Sequence, residues 1–286
     1  MICFYHSADL DGHCSGAIVK RKYPDCEMIG IDYGDPFPWG RVKDQDVIMV
    51  DFSLQPFPEK MQKLNETAKS LIWIDHHKSE IDAAHKSGFL ATGGQSLELD
   101  YAGCEQTWAW FYPKLATPTG VYLLGRYDIW QLSENPDIMP FQWGMRQYLN
   151  TSPENLMFWQ MIFDDEVGFI IKTVETGKLL LKFRDSQNAK IMKATAFETR
   201  FEWRLFIASN IPLCNSQAFD TVYDPEKHDG MISFYYKPKA KAYTVSLYTT
   251  KDIDLSLIAK KHGGGGHKQA CGFQCKVLPF RLDGMG

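Results

Sequence analysis

Leu71-Ile72-Trp73-Ile74-Asp75-His76-His77 is the stretch on which the reading of this chain turns. Four apolar residues make a short buried strand, and its carboxyl end delivers a carboxylate and two imidazoles in succession. The same arrangement recurs. Ile2-Cys3-Phe4-Tyr5 precedes His6-Ser7-Ala8-Asp9-Leu10-Asp11-Gly12, Val47-Ile48-Met49-Val50 precedes Asp51, and the apolar stretch Val121 to Leu124 precedes Asp128. Open α/β sheets build their sites at the carboxyl ends of parallel strands. Several carboxylates beside imidazoles repel one another unless a cation neutralises them, so a hard-metal site is the leading reading.

Working outward, residues 2–5, 27–31, 46–50 and 71–75 read as strands, with helices expected over 13–22, 57–68 and 102–112. Strands separated by helices imply βαβ units and a mostly parallel sheet. From about 133 to 188 the apolar spacing becomes helical, and 164–187 reads as one long helix that Gly168 and Gly177 weaken without forbidding. Strand character returns at 190–196, 203–208, 231–236 and 242–248. A short helix is expected at 254–261 and a last strand near 270–277. The fold class is therefore α/β. A parallel-sheet domain with flanking helices spans 1–132, a helical connector 133–188, and a smaller α/β domain 189–286.

The formal net charge of −4, from 31 basic and 35 acidic side chains, argues against a protein that grips long duplex nucleic acid by bulk charge. Short oligonucleotides or nucleotides in a local pocket remain compatible with it. The seven cysteines are scattered and odd in number, which speaks against a disulfide framework and for a reducing compartment. No basic segment with a long apolar core opens the chain, and no stretch approaches the ~18 apolar residues of a membrane span. A cytoplasmic location without membrane association is the expectation.

Each motif has a plain structural alternative. Asp9-Leu10-Asp11-Gly12 on its own is more often a capping turn than a ligand pair, and Asp51-Phe52-Ser53 is often only a helix cap. Both gain weight from sitting where Asp75-His76-His77 sits. Asp51 has the character of the shared carboxylate that a two-metal centre requires. Two adjacent histidines after a strand cannot both point inward, so one can ligate while the other faces substrate and Asp75 orients an imidazole. Gly263-Gly264-Gly265-Gly266, flanked by His262, His267, Lys260, Lys261 and Lys268, suits a phosphate more than it suits a bare flexible loop. Phe234, Tyr235 and Tyr236 are more simply sheet core than base-stacking residues.

With these residues in place, the chain resembles a DHH/DHHA1 phosphoesterase over nearly its whole length. Five motifs fall in the family's order: His6, Asp9 and Asp11; Asp51; Asp75-His76-His77; Asp128; and the glycine run with His267. Tyr101 to Trp108 resembles the small-residue helix that follows the third motif. The layout is closest to the compact members described as oligoribonucleases, or nanoRNases. The first motif differs in spacing, with only Ser7 and Ala8 between His6 and Asp9, and Cys271 stands where many relatives carry alanine.

The resemblance implies two Mn²⁺ or Mg²⁺ ions, with the mixed carboxylate and imidazole set favouring manganese. His6, Asp9 and Asp51 would hold one ion, and Asp11, Asp51, His76 and Asp128 the other. His77 would contact the phosphate or the leaving oxygen, with Asp75 behind an imidazole. Gly263, Gly264, Gly265, Gly266 and His267 would bind the far phosphate or terminal nucleotide, His267 adding charge neutralisation. The implied activity is hydrolysis of short oligonucleotides to mononucleotides by a metal-dependent exonuclease. Two alternatives stay open. One is a phosphatase or phosphodiesterase for 3′-phosphoadenosine 5′-phosphate, a linear or cyclic dinucleotide, pyrophosphate or polyphosphate. The other is a non-catalytic nucleotide-binding module. A homodimer is compatible with the sequence, which does not fix the oligomeric state.

Overall fold

The computed structural model describes residues 1–282. The chain divides into two compact units, Met1–Leu181 and a second beginning at Lys182. The first contains β1 (Ile2–His6), α1 (Leu10–Lys22), β2 (Glu27–Ile31), α2 (Trp39–Val42), β3 (Asp46–Val50), α3 (Glu59–Thr67), β4 (Ser70–Asp75), α4 (Lys78–Ser87) and β5 (Gly94–Leu97). Helices α5 (Gly103–Phe111), α6 (Thr119–Asp128), α7 (Ile138–Met145) and α8 (Leu156–Phe163) follow, and α9 (Val167–Thr195) runs on into the second unit.

The five strands are all parallel, in the order β2-β1-β3-β4-β5. Successive residues alternate between faces, as strand geometry requires. Cys3, Ile48, Val50 and Ile74 join one core with residues of α1, α5, α6, α7 and α8. Ile2, Phe4, Val47, Met49, Leu71 and Trp73 join the opposite core with Val42, Met61, Leu64 and Ala84. Both faces being covered explains why the strands read as unbroken apolar runs. The strand order reverses at β1, so the crevice between the ends of β1 and β3 is the topological switch point at which such sheets bind ligands.

The second unit holds β6 (Phe197–Phe201), β7 (Arg204–Asn210), β8 (Gly230–Lys237), β9 (Ala242–Tyr248), α10 (Ser256–Lys261), β10 (Gly265–Gly266) and β11 (Ala270–Cys275). They form one sheet in the order β10-β11-β9-β8-β7-β6, antiparallel except between β7 and β8. Its core is built on Phe201, Phe206, Ile232, Phe234, Val245, Leu247 and Phe273. Among the described residues, no helix is long and apolar enough to cross a membrane.

Two sequence expectations are corrected here. Residues 190–195 are the last turns of α9, not a strand: Ala189, Lys190, Met192, Lys193 and Ala194 are helix formers that extend the preceding helix. The stretch Val121 to Leu124 lies within α6, so Asp128 comes from the last turn of a helix. A short apolar run does not distinguish a strand from a buried helix turn by periodicity.

The glycines of α9 differ in kind. A Cβ on Gly177 would sit 1.7 Å from the Pro140 carbonyl oxygen, and one on Gly144 of α7 would sit 1.8 Å from that of Thr173. The two helix backbones are therefore in contact, and Gly177 makes the crossing possible. At Gly168 a Cβ would meet nothing within 4 Å. Gly177→Ala should therefore destabilise the protein by about 3 kcal/mol through overpacking. Gly168→Ala should stabilise it by roughly 0.5 kcal/mol through helix propensity and a stiffer unfolded chain. Thermal unfolding of the two variants checks the opposite signs.

Candidate metal centre

Each strand end contributes a group. His6 closes β1. Asp9 caps α1, its Oδ1 accepting the Gly12 N–H at 2.9 Å, while Oδ2 lies 3.0 Å from His6 Nδ1. Asp11, in the first turn of α1, accepts the N–H groups of Gly103 at 2.8 Å and Cys104 at 2.7 Å. Those are free donors at the start of α5, where a carboxylate is favoured. Asp51 follows β3 with φ +55, a left-handed bend held by its own N–H donating to Ile74 O at 2.8 Å. A Cβ on Gly103 would lie 2.7 Å from Asp51 Cβ and 3.0 Å from Asp11 Oδ2, so α5 can begin here only with glycine.

The end of β4 sorts its three polar residues. Asp75 is fully buried, and its Oδ1 accepts from the backbone N–H of His76 at 2.8 Å and of His77 at 3.2 Å. It also faces His77 Nδ1 at 2.6 Å. A carboxylate acceptor there puts the proton on Nδ1 and leaves Nε2 of the part-exposed ring outward. His76 turns inward instead. Its Nε2 lies 3.2 Å from Asp51 Oδ1, 3.2 Å from Asp128 Oδ2 and 3.6 Å from Asp11 Oδ2.

His6, Asp9, Asp11, Asp51, His76 and Asp128 thus converge, in overlapping groups: His6 with Asp9 and Asp51; Asp11 with His76 and Asp128; and Asp51 with His76 and His77. Burial raises the Asp11 carboxyl well above its ordinary range, and the charges on Asp51 and Asp128 push it further. Burial also raises Asp128, with the His76 contact opposing it. Asp51 is the exception: burial would raise it, yet the imidazoles of His6 and His76 hold it well below the carboxylate range. The imidazoles show the converse. Burial works against their charge, but Asp128 and Asp51 carry His76 up to about 12, and Asp51 and Asp9 carry His6 up to about 10.

The donors fit a pair of divalent cations. His6 Nδ1 and Asp51 Oδ1 are buried and make no well-formed hydrogen bond. Four carboxylates surround two imidazoles, a mix of hard and intermediate donors that suits manganese or magnesium chemistry.

Sequence reading passed over several supporting groups. Asp32 follows β2 as Asp51 follows β3, with Oδ1 3.5 Å from His6 Nε2, and the strand-edge rule applies to it equally. The Gln106 amide donates to the carbonyls of Asp75 at 3.2 Å, Glu98 at 2.9 Å and Tyr101 at 2.8 Å, tying the end of β4 to α5. Its only signal was membership in the Tyr101 to Trp108 segment. Arg126 and Glu105 form a buried ion pair between α6 and α5, behind Asp128.

The glycine run lies in the second unit. Gly263, at φ +78, ends α10, and its N–H and that of Gly264 are taken by Lys260 O and Ala259 O. A Cβ on Gly264 would meet Gly272 O at 2.0 Å, so part of the run exists to let the chain lie against β11. Gly265 and Gly266 pair with Gly272 and Cys271. The exposed His267 then opens the turn into β11, its N–H donating to Ala270 O at 2.8 Å. The basic flank is partly neutralised: Lys261 and His262 contact Glu202, and Lys268 contacts Asp252. A hollow of about 630 Å³ borders Gly263, Gly264, Cys271, Phe273 and Tyr248.

No family model matches the chain. Among curated proteins it is similar to the uncharacterized protein R106 of Acanthamoeba polyphaga mimivirus, 25% identical over 260 residues. That match covers 86% of this chain and 58% of the relative, so the chain spans little more than half of the relative's length. Among solved structures it is similar to the pGpG-specific phosphodiesterase PggH of Vibrio cholerae, with a TM-score of 0.58 and 12% identity over 96% of this chain and 93% of that one. It is also similar to the DHH domain of a member of a ribosomal-protein family, with a TM-score of 0.56 and 12% identity over 96% and 82%. These likenesses establish the fold, a parallel-sheet unit followed by a mixed-sheet unit.

The imidazole charges generate a prediction. Without a cation, the neighbouring carboxylates should keep His6 and His76 protonated at pH 7, since they raise both above it. A cation needs the nitrogen lone pair, so binding must expel those protons. Mn²⁺ titrated calorimetrically in buffers of different ionisation enthalpy should therefore release at least one proton at pH 7. Apparent affinity should rise with pH, by about tenfold per unit for each proton displaced.

Proposed function

We propose that this chain is a manganese-dependent phosphodiesterase that hydrolyses short oligonucleotides to mononucleotides by a two-metal mechanism. The observation that carries the reading is the position of Asp51. One of its oxygens lies 3.2 Å from His76 Nε2 and the other 3.6 Å from His6 Nδ1. A buried carboxylate that offers one oxygen to each of two donor groups would suit the shared ligand of two neighbouring cations.

His6, Asp9 and Asp51 would hold one cation, and Asp11, Asp51, His76 and Asp128 the other. When bound, the pair supplies Lewis acidity, polarising the phosphoryl group and acidifying an attacking water. The remaining work falls to the chain. Asp75 fixes His77 through Nδ1. Burial lowers the basicity of His77, but the Asp75 carboxylate outweighs it and raises its pKa. A proton on the outward Nε2 would be a donor for a phosphoryl oxygen or the departing oxygen as negative charge develops. Gly263, Gly264, Gly265, Gly266 and His267 would receive the far phosphate or terminal nucleotide. The adjacent hollow of about 630 Å³ is of a size to take one.

Short substrates are favoured by the net charge of −4, since a long strand would want an extended basic groove. The PggH phosphodiesterase, which shares the fold, is named for pGpG. That molecule is a dinucleotide and so the shortest member of the same chemical class.

Asp51→Asn should lower Mn²⁺-dependent release of mononucleotides from a labelled short oligomer by on the order of 10²-fold or more. Asp75→Asn should weaken metal affinity or activity by roughly 10- to 100-fold. Chelation should abolish the wild-type reaction. Full activity in Asp51→Asn, or a preference for pyrophosphate over the oligomer, would refute the reading.

A further inference from the structure

The turn between β6 and β7 is built from the wrong residues for its shape. Phe201 pairs with Arg204, leaving a two-residue loop of Glu202 and Trp203. Both carry positive φ, +49 and +66. Hairpin turns of that form select Asn-Gly, Asp-Gly or Gly-Gly, because a bulky side chain is penalised in the left-handed region. Such a penalty persists where the surroundings impose it, and it gathers at functional positions. Glu202 has a visible reason to be there, since it contacts both Lys261 and His262. Trp203 has none within the fold. It is 97% exposed and enters no ring contact or hydrogen bond among the described residues.

Its surroundings are specific. Arg200, Glu202, Trp203 and Lys261 line a hollow of about 480 Å³. Arg200 and the neighbouring Arg204 have no carboxylate partner among the described residues, in a chain whose net charge is negative. Lys261 is separated only by His262 from Gly263 and Gly264, which border the larger hollow. An exposed indole at a pinned hairpin tip, with the unpaired Arg200 guanidinium lining the same hollow, complements a planar ring that carries phosphates.

We propose that Trp203 is a stacking platform for a nucleobase of single-stranded oligonucleotide, with Arg200 taking an adjacent phosphate. This places a substrate-binding position beyond the glycine run and gives the preference for oligomers a structural origin. The inference builds on the oligonucleotide reading above, but it concerns binding alone and is tested without turnover.

The test is fluorescence anisotropy with a labelled adenylate tetramer in EDTA, where no hydrolysis occurs. Trp203→Ala should weaken binding roughly 5- to 150-fold, the range of one base–aromatic stack, and Trp203→Phe should restore most of it. An abasic ribose-phosphate tetramer should bind the wild-type protein as weakly as the adenylate tetramer binds Trp203→Ala. Arg200→Ala should weaken binding and flatten its salt dependence. Trp203→Gly should raise the melting temperature by a few degrees while losing affinity, because glycine relieves the turn. A melting temperature that falls would assign Trp203 a structural role and overturn the proposal. So would unchanged affinity in Trp203→Ala, absence of tetramer binding by the wild type, or a loss of self-association in place of affinity. Hydrolysis of the tetramer with Mn²⁺ but without Trp203 dependence defeats this inference alone. Trp203-dependent binding without hydrolysis defeats the proposed activity and leaves the platform standing.

Discussion

Three carboxylates, Asp11, Asp51 and Asp128, close on one imidazole nitrogen of His76 within 3.6 Å, and most of that cluster is buried. This crowding is the constraint on which the rest of the first unit depends. Like charges brought together out of water raise one another's pKa or demand a counter-charge. Here the imidazoles supply part of it, and the N-terminus of α5 supplies more through Gly103 and Cys104. Each of these partners comes from a different segment, so the cluster ties strand ends and helix starts into one structure.

The fold makes this arrangement possible through strand order. Because β1 is flanked by β2 and β3, the helix after β1 and the loop after β3 diverge and open a crevice where His6 and Asp51 meet. The helices on the far side of the sheet matter as much. Gly103 brings α5 close enough to cap Asp11, and α6 carries Asp128 in from outside the sheet. The contact of α7 with α9 at Gly144 and Gly177 holds that helical layer together.

The glycine run illustrates how a motif can carry two demands at once. Gly263 terminates a helix and Gly264 lies against β11, which accounts for two of the four glycines without a ligand. The basic residues around it are partly spoken for by Glu202 and Asp252. The exposed hairpin tip beside it, with a tryptophan in a left-handed turn, is the feature that local packing leaves unexplained.

Strand positions 2–5, 46–50 and 71–75 were legible because unbroken apolar runs ending in polar residues have one good solution, a parallel strand buried on both faces. His6, Asp9, Asp11, Asp51 and His76 were legible for the same reason, since each lies at the end of such a strand or within the few residues that follow it. Asp128 was found by resemblance and not by geometry, and residues 190–195 were misassigned, because short apolar runs look alike in strands and helices. What the sequence by itself determined was the set of groups and the edge of the sheet they occupy, because strand direction is written in local pattern. Which oxygen faces which nitrogen, that Asp32 stands behind His6, that Asp75 locks His77 while His76 turns inward, and that Trp203 stands clear of the fold were decided only by tertiary structure. Those facts depend on the approach of segments far apart in the chain, and no local preference encodes that approach.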